Sequence, residues 1–138
     1  MNCLLDTCVV SELVKPAPDT KVVAWITEIP SERLFLSALT IGEIRKGLTK
    51  LAASKKKKRL SRWLDTLLGD YRDRILSIDI PVAETWGLIQ AEAEQRGMPM
   101  ATIDGLIAAT AFTHHLNLIT RNVDDFQSAP VSILNPWT

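Results

Sequence analysis

Short apolar runs alternating with stretches of helical period constrain this chain most. Leu4-Leu5 and their neighbours, Leu34-Phe35-Leu36-Ser37, Ile75-Leu76-Ser77-Ile78, Leu116-Asn117-Leu118-Ile119-Thr120 and Val131-Ser132-Ile133-Leu134 are too short for helices. Each reads as a strand buried on both faces, which requires cover on both sides of a sheet. Between them, Val9, Val10, Leu13 and Val14 recur at helical spacing until Pro16 and Pro18 stop them. Asp19 or Thr20 caps a second helix through about Glu28, with Val22, Val23 and Ile26 inward, and Pro30-Ser31 breaks it. A helical stretch from about Leu39 to Leu51 and another from about Ser54 to Leu68 form a helical arm at about 39–69. Pro81 suits the first turn of a helix carrying Val82, Trp86, Ile89 and Ala93, closed by Gly97. One more helix runs from Ala101 or Thr102 to about His114. The alternation predicts an α/β domain with a mostly parallel sheet of four or five strands.

With 138 residues the chain suits one domain, 1–138. A hydrophobic share of 46% and a charged share of 23% are enough for an ordered core. The 16 basic and 16 acidic residues cancel, so binding to a polyanion must come from a local patch or a bridging metal. Cys3 and Cys8 form no CxxC or Cys/His metal spacing and read as reduced thiols. With no signal-peptide pattern and no membrane-length apolar run, a cytoplasmic protein is expected.

Three acids break the apolar patterns. Asp6 ends the opening run, Glu43 interrupts Leu39-Thr40-Ile41-Gly42-Glu43-Ile44, and Asp104 lies among Ile103, Leu106, Ile107 and Ala108. A carboxylate at the rim of a hydrophobic element costs desolvation energy unless a cation meets it. No Lys or Arg is embedded beside Asp6 or Asp104. Open α/β sheets build their sites beyond the carboxyl ends of the strands. Asp6 follows the first strand, Asp124 and Asp125 follow the fourth, and Glu43 and Asp104 lie early in their helices. All can face one rim, where oxygen ligands favour Mg²⁺ or Mn²⁺ over Zn²⁺. Such an ion suits phosphodiester hydrolysis. Asp124 taken alone reads as an exposed turn residue.

Four pieces carry a resemblance: Leu4-Leu5-Asp6-Thr7, Ser37 to Ile44, Ala101 to Ala109, and Leu118 to Phe126. In this order and spread over nearly the whole chain, they resemble PIN-domain proteins of the VapC or FitB-like toxin type. The resemblance implies a PIN-like three-layer α/β/α fold. It implies a Mg²⁺-dependent ribonuclease, with Mn²⁺ able to substitute, acting as the toxin of a type II toxin–antitoxin pair. By that likeness Asp6 and Asp104 bind metal and Glu43 completes the acidic cluster. Asp125 takes the fourth acidic position, because neutral Asn122 stands at the other place where the family puts an acid. Thr7 and Thr120 resemble hydroxyl residues that hold a water or phosphate, and Asn122 keeps hydrogen-bonding ability without charge. The implied partners are a second copy of the chain, a VapB-like antitoxin whose C-terminal segment blocks the acidic pocket, and structured RNA such as tRNA or rRNA. A higher complex with the antitoxin on DNA is also implied.

Other features have bland readings. Lys55 to Arg59 reads as a solvated helix face that lies beside the pocket and can also grip phosphate. His114 and His115 cannot share one helix face and read as helix-terminal residues. Arg45 and Arg121 either neutralise charge at the site or pair with Asp124 and Asp125. A second functional class is a FitB-like component of a DNA-binding complex acting mainly in transcriptional regulation, with weak or no nuclease activity. A phosphotransferase with Asp6 as nucleophile is disfavoured, because Cys8 stands where a second Asp is expected.

Overall fold

The structure is a computed structural model and describes residues 1–138. Five strands run β1 (Cys3–Leu5), β2 (Leu34–Ser37), β3 (Ile75–Leu76), β4 (Asn117–Ile119) and β5 (Ile133–Leu134). They form one sheet in the order β3-β2-β1-β4-β5, and every neighbouring pair is parallel. Six helices connect them: α1 (Thr7–Leu13), α2 (Thr20–Glu28), α3 (Ala38–Lys50), α4 (Lys55–Asp70), α5 (Ile80–Gln95) and α6 (Thr102–Thr113).

Alternation along the central strand divides the core. Cys3 and Leu5 of β1 join Val9, Val22, Leu48 and Leu64 on one face, which α1 to α4 cover. Leu4 points the other way and joins Val82, Ile107, Leu118 and Phe126 beneath α5 and α6. The result is the expected three-layer α/β/α arrangement, with both sheet faces dry. The arm expected at about 39–69 is α3 and α4, laid on the sheet and anchored by buried Ile44, Leu48 and Leu64.

The two edge strands are shorter than the apolar runs suggest. In β3 the pairing stops at Ser37↔Leu76, because Ser37 then turns to cap α3 and leaves Ser77 and Ile78 no partner. The register of β4 with β5 begins at Leu118↔Ile133, so Val131 and Ser132 lie outside the strand. Three single-turn 3-10 segments, Ser31–Arg33, Arg72–Arg74 and Val123–Phe126, were not expected. Arg74 fixes two of them. It donates to Leu34 O at 2.7 Å, to Asp70 O at 2.8 Å and to Ser31 O, and its guanidinium stacks 4.4 Å from the centre of the Tyr71 ring. Glu12 does a similar job between α1 and α2. It accepts from Lys15 Nζ at 2.8 Å and from Asp19 N at 2.9 Å.

Asp104 owes its place to the contact of α6 with α5. A Cβ on Gly105 would meet Trp86 Nε1 at 2.9 Å and Cδ1 at 3.0 Å. The indole is half-buried against the second core cluster and has little room to move. Gly105→Ala is therefore expected to push α6 off α5 at a cost of about 2 kcal/mol. Thermal unfolding should show Tm falling by roughly 8 °C; an unchanged Tm would mean that the helices do not need this close approach.

Candidate active site

Parallel strands deliver their carboxyl ends to one edge of the sheet, and the acids follow. Asp6 comes directly after β1 and is only 6% exposed. Its backbone N–H donates to Ile119 O of β4 at 2.9 Å. Its side chain caps α1 through Oδ1, which accepts from Thr7 N at 2.9 Å, while Oδ2 accepts from the Thr120 hydroxyl at 2.7 Å. One short carboxylate thus ties together the first strand, the first helix and the end of β4. The Cys8 Sγ lies 3.7 Å from the same Oδ2 and 3.6 Å from the Thr120 hydroxyl. Burial pushes the Cys8 thiol upward in pKa, which keeps it a neutral thiol beside the acids.

Glu43 arrives from α3, whose start is set by the Ser37 hydroxyl accepting from Leu39 N at 3.1 Å. The Thr7 hydroxyl donates to Glu43 Oε1 at 2.6 Å and lies 3.1 Å from the hydroxyl of fully buried Thr40. Thr40 is a site residue that the sequence reading missed. Its place one turn before Glu43 on α3 was the available signal.

Asp104 sits half-buried in the first turn of α6. Asp124 and Asp125 occupy the exposed 3-10 turn Val123–Phe126. They differ in use: Asp124 Oδ1 accepts from Gln127 Nε2 at 3.3 Å, whereas Asp125 is the carboxylate whose charge acts most on Asp104. Asn122 opens that turn, is exposed, and donates its backbone N–H to the Thr120 hydroxyl at 3.0 Å. Thr7 and Thr120, expected to hold a water or phosphate, here give their hydroxyl protons to Glu43 and Asp6. A cavity of about 320 Å³ beside the turn is lined by Arg121, Asn122, Val123, Asp124, Asp125 and Asn135.

The electrostatics of this edge are one-sided. The single ion pair in the structure, Lys15–Glu12, lies elsewhere. Arg45 is exposed and pairs with no carboxylate, and Arg121 stacks 4.9 Å from the centre of the Trp137 ring instead of pairing with Asp124 or Asp125. Burial, outweighing the hydrogen bonds from Thr120 and Thr7, raises the pKa of Asp6, and the charge of Glu43 adds to it. For Asp104, burial and then the charges of Asp125, Asp6 and Glu43 push the pKa up to about 6. No group of three or more His, Cys, Asp or Glu side chains stands close enough together to hold a metal ion. The carboxylates of this edge offer hard oxygen donors of the kind that suit Mg²⁺, and no Lys or Arg pairs with them.

A sequence profile of the PIN domain matches residues 3–131. The chain belongs to the PIN-domain family. This PIN domain is 42% identical to toxin FitB of Neisseria gonorrhoeae over 135 residues, covering 97% of each chain. It is 37% identical over 135 residues to VapC ribonuclease Y4jK of Sinorhizobium fredii, covering 97% of this chain and 96% of that one. Among solved structures, FitAB bound to the IR36 DNA fragment contains a chain that superposes with a TM-score of 0.94 at 39% identity, covering 99% of this chain and 96% of that one.

The raised pKa of Asp104 has a consequence for stability. A carboxyl that holds its proton more tightly when folded favours the native state fully below its ordinary value of 3.8. That advantage is lost as pH rises through about 6. In this PIN domain without added metal, Asp104→Asn should leave Tm unchanged near pH 4 and raise it near pH 7.5. Because solvent still reaches the carboxyl, the gain is discounted to about 1 kcal/mol, or roughly 4 °C. Calorimetry at the two pH values checks this; a gain of equal size at both would contradict the electrostatic account.

Proposed function

We propose that this PIN domain is the toxin of a type II toxin–antitoxin pair and hydrolyses RNA phosphodiester bonds at the acidic edge of its sheet. The observation that carries the reading is the convergence of Asp6, Glu43, Asp104 and Asp125 with no basic partner, two of them with raised pKa. A phosphate approaching such an edge is repelled unless a dication stands between. Asp6 and Asp104 would hold Mg²⁺, with Mn²⁺ able to substitute, and Glu43 and Asp125 would complete the cluster. When bound, the ion polarises a phosphoryl oxygen and acidifies a bound water. Glu43, steadied by the Thr7 hydroxyl, would accept the proton of an attacking water. Thr120 holds the buried Asp6 carboxylate to one orientation. Asn122, exposed at the mouth, offers an uncharged amide to the RNA.

The likeness to two relatives, toxin FitB and VapC ribonuclease Y4jK, supports this reading. The likeness to FitAB on DNA supports a partner for this chain too, an antitoxin of VapB type, and a larger complex of the pair on DNA. The toxin would act as a homodimer in the cytoplasm, where tRNA and rRNA are found. No helix is long and apolar enough to cross a membrane. The same likeness keeps a second reading in view, in which the complex on DNA regulates transcription and the nuclease is weak.

Purified protein freed of any partner should cleave total tRNA with Mg²⁺ or Mn²⁺ and stop when EDTA is added. Asp6→Asn should lose at least about a hundredfold in rate. Equal cleavage by wild type and Asp6→Asn would remove the ribonuclease assignment and leave the regulatory reading.

A further inference from the structure

The helix that carries Asp104 starts differently from the rest. The side chains of Asp6, Asp19, Ser37, Ser54 and Asp79 cap the starts of α1, α2, α3, α4 and α5. Ala101, at the start of α6, makes no such bond. Residues of α5 hold that start instead. Trp86 and Gln90 stand at i and i+4 on α5, so they share one stripe. Gln90 Nε2 donates at 3.0 Å to the carbonyl of Met100, just ahead of α6. Trp86 Nε1 and Gln90 Oε1 lie 2.9 and 3.4 Å from the point where a Cβ on Gly105 would stand. The two side chains therefore hold the chain on both sides of Asp104. The linker behind them is tied as well: Met98 O accepts from the Ser128 hydroxyl at 2.8 Å, and Ser128 O accepts from Arg96 at 3.1 Å.

Packing alone does not account for an amide at this place. Trp86 Nε1 and Gln90 Oε1 are buried, and neither has a hydrogen-bond partner. Buried polar atoms left unpaired destabilise a fold, and an apolar side chain at position 90 would remove one of them. The other end of the same amide is what reaches Met100 O. We infer that Gln90 is a positioning residue for Asp104: its amide fixes the start of α6 and thereby the reach of that carboxylate, an inference that rests on the ribonuclease reading above. Helix ends fray where their polar groups are not tied. Asp104 lies in the first turn, where fraying moves it most. A displacement of about 1 Å at a reacting group can lower a rate by about a hundredfold.

The full-length chain is compared with Gln90→Met, which keeps the side-chain volume and removes the amide. The control is Ile89→Val, which loosens the buried cluster beneath α5 and α6 without touching a polar contact. Both variants should lower Tm by no more than about 6 °C. Amide exchange followed by NMR, without metal, compares Gly105, whose N–H donates to Ala101 O at 2.8 Å, with Ala108, Ala109 and Ala111 later in α6. The Gly105 rate relative to those later amides should rise at least about tenfold in Gln90→Met and stay within about twofold in Ile89→Val. With Mg²⁺ and total tRNA, Gln90→Met should lose at least about tenfold in kcat while KM stays within about twofold, and Ile89→Val should keep both. An unchanged exchange ratio in Gln90→Met, or equal losses of kcat in the two variants, overturns the inference. A wild-type chain that cuts no RNA removes the ribonuclease reading and the role of Gln90 with it. Cutting by wild type that Gln90→Met matches in kcat sinks the role of Gln90 alone.

Discussion

The Asp6 carboxylate is the constraint on which the rest of this molecule turns. It is nearly buried, yet both oxygens are engaged, one by the start of α1 and one by Thr120. The same residue's backbone N–H continues the β1–β4 pairing. Strand order, helix start and site geometry therefore meet in one side chain. A neutral isostere could keep some of these hydrogen bonds, but it would lose the charge that the neighbouring acids sense. Structure and chemistry cannot be separated at this position.

Helix geometry helps the edge to hold its negative charge. Asp6 caps α1 and Asp104 lies in the first turn of α6, both at the positive ends of helix dipoles. The two threonine hydroxyls add a donor each to Asp6 and Glu43. Even so, burial dominates at Asp6 and Asp104, whose pKa values rise instead of falling. The protein thus keeps carboxylates crowded where burial and mutual repulsion favour their protonated forms. The nearly closed packing of α6 on α5 at Gly105 keeps that state in place.

Most of this was legible in the chain. The apolar runs gave all five strands, and acids breaking apolar patterns pointed to Asp6, Glu43 and Asp104 before any geometry was known. The edge strands were overread because hydrophobicity does not say where a partner runs out, as Ser77 and Ile78 illustrate. The 3-10 turns were missed because they depend on distant acceptors, such as Leu34 O for Arg74. Thr40 and Glu12 were passed over for the same reason: each looks ordinary until a partner far along the chain, or across a turn, is brought to it. The resemblance pointed to Asp125 over Asp124, and in the structure Asp125 is the carboxylate whose charge acts most on Asp104.

Arg121 and Trp137 show how a contact outside the acidic set can shape its electrostatics. The guanidinium is the basic group next in sequence to Thr120 and Asn122, and it rests against the indole of Trp137, which in turn packs on the first core cluster. Parked there, it neutralises none of the acids. Held against that ring, the guanidinium stays out of the acidic set, so the charge of the edge depends partly on an indole that touches none of its carboxylates.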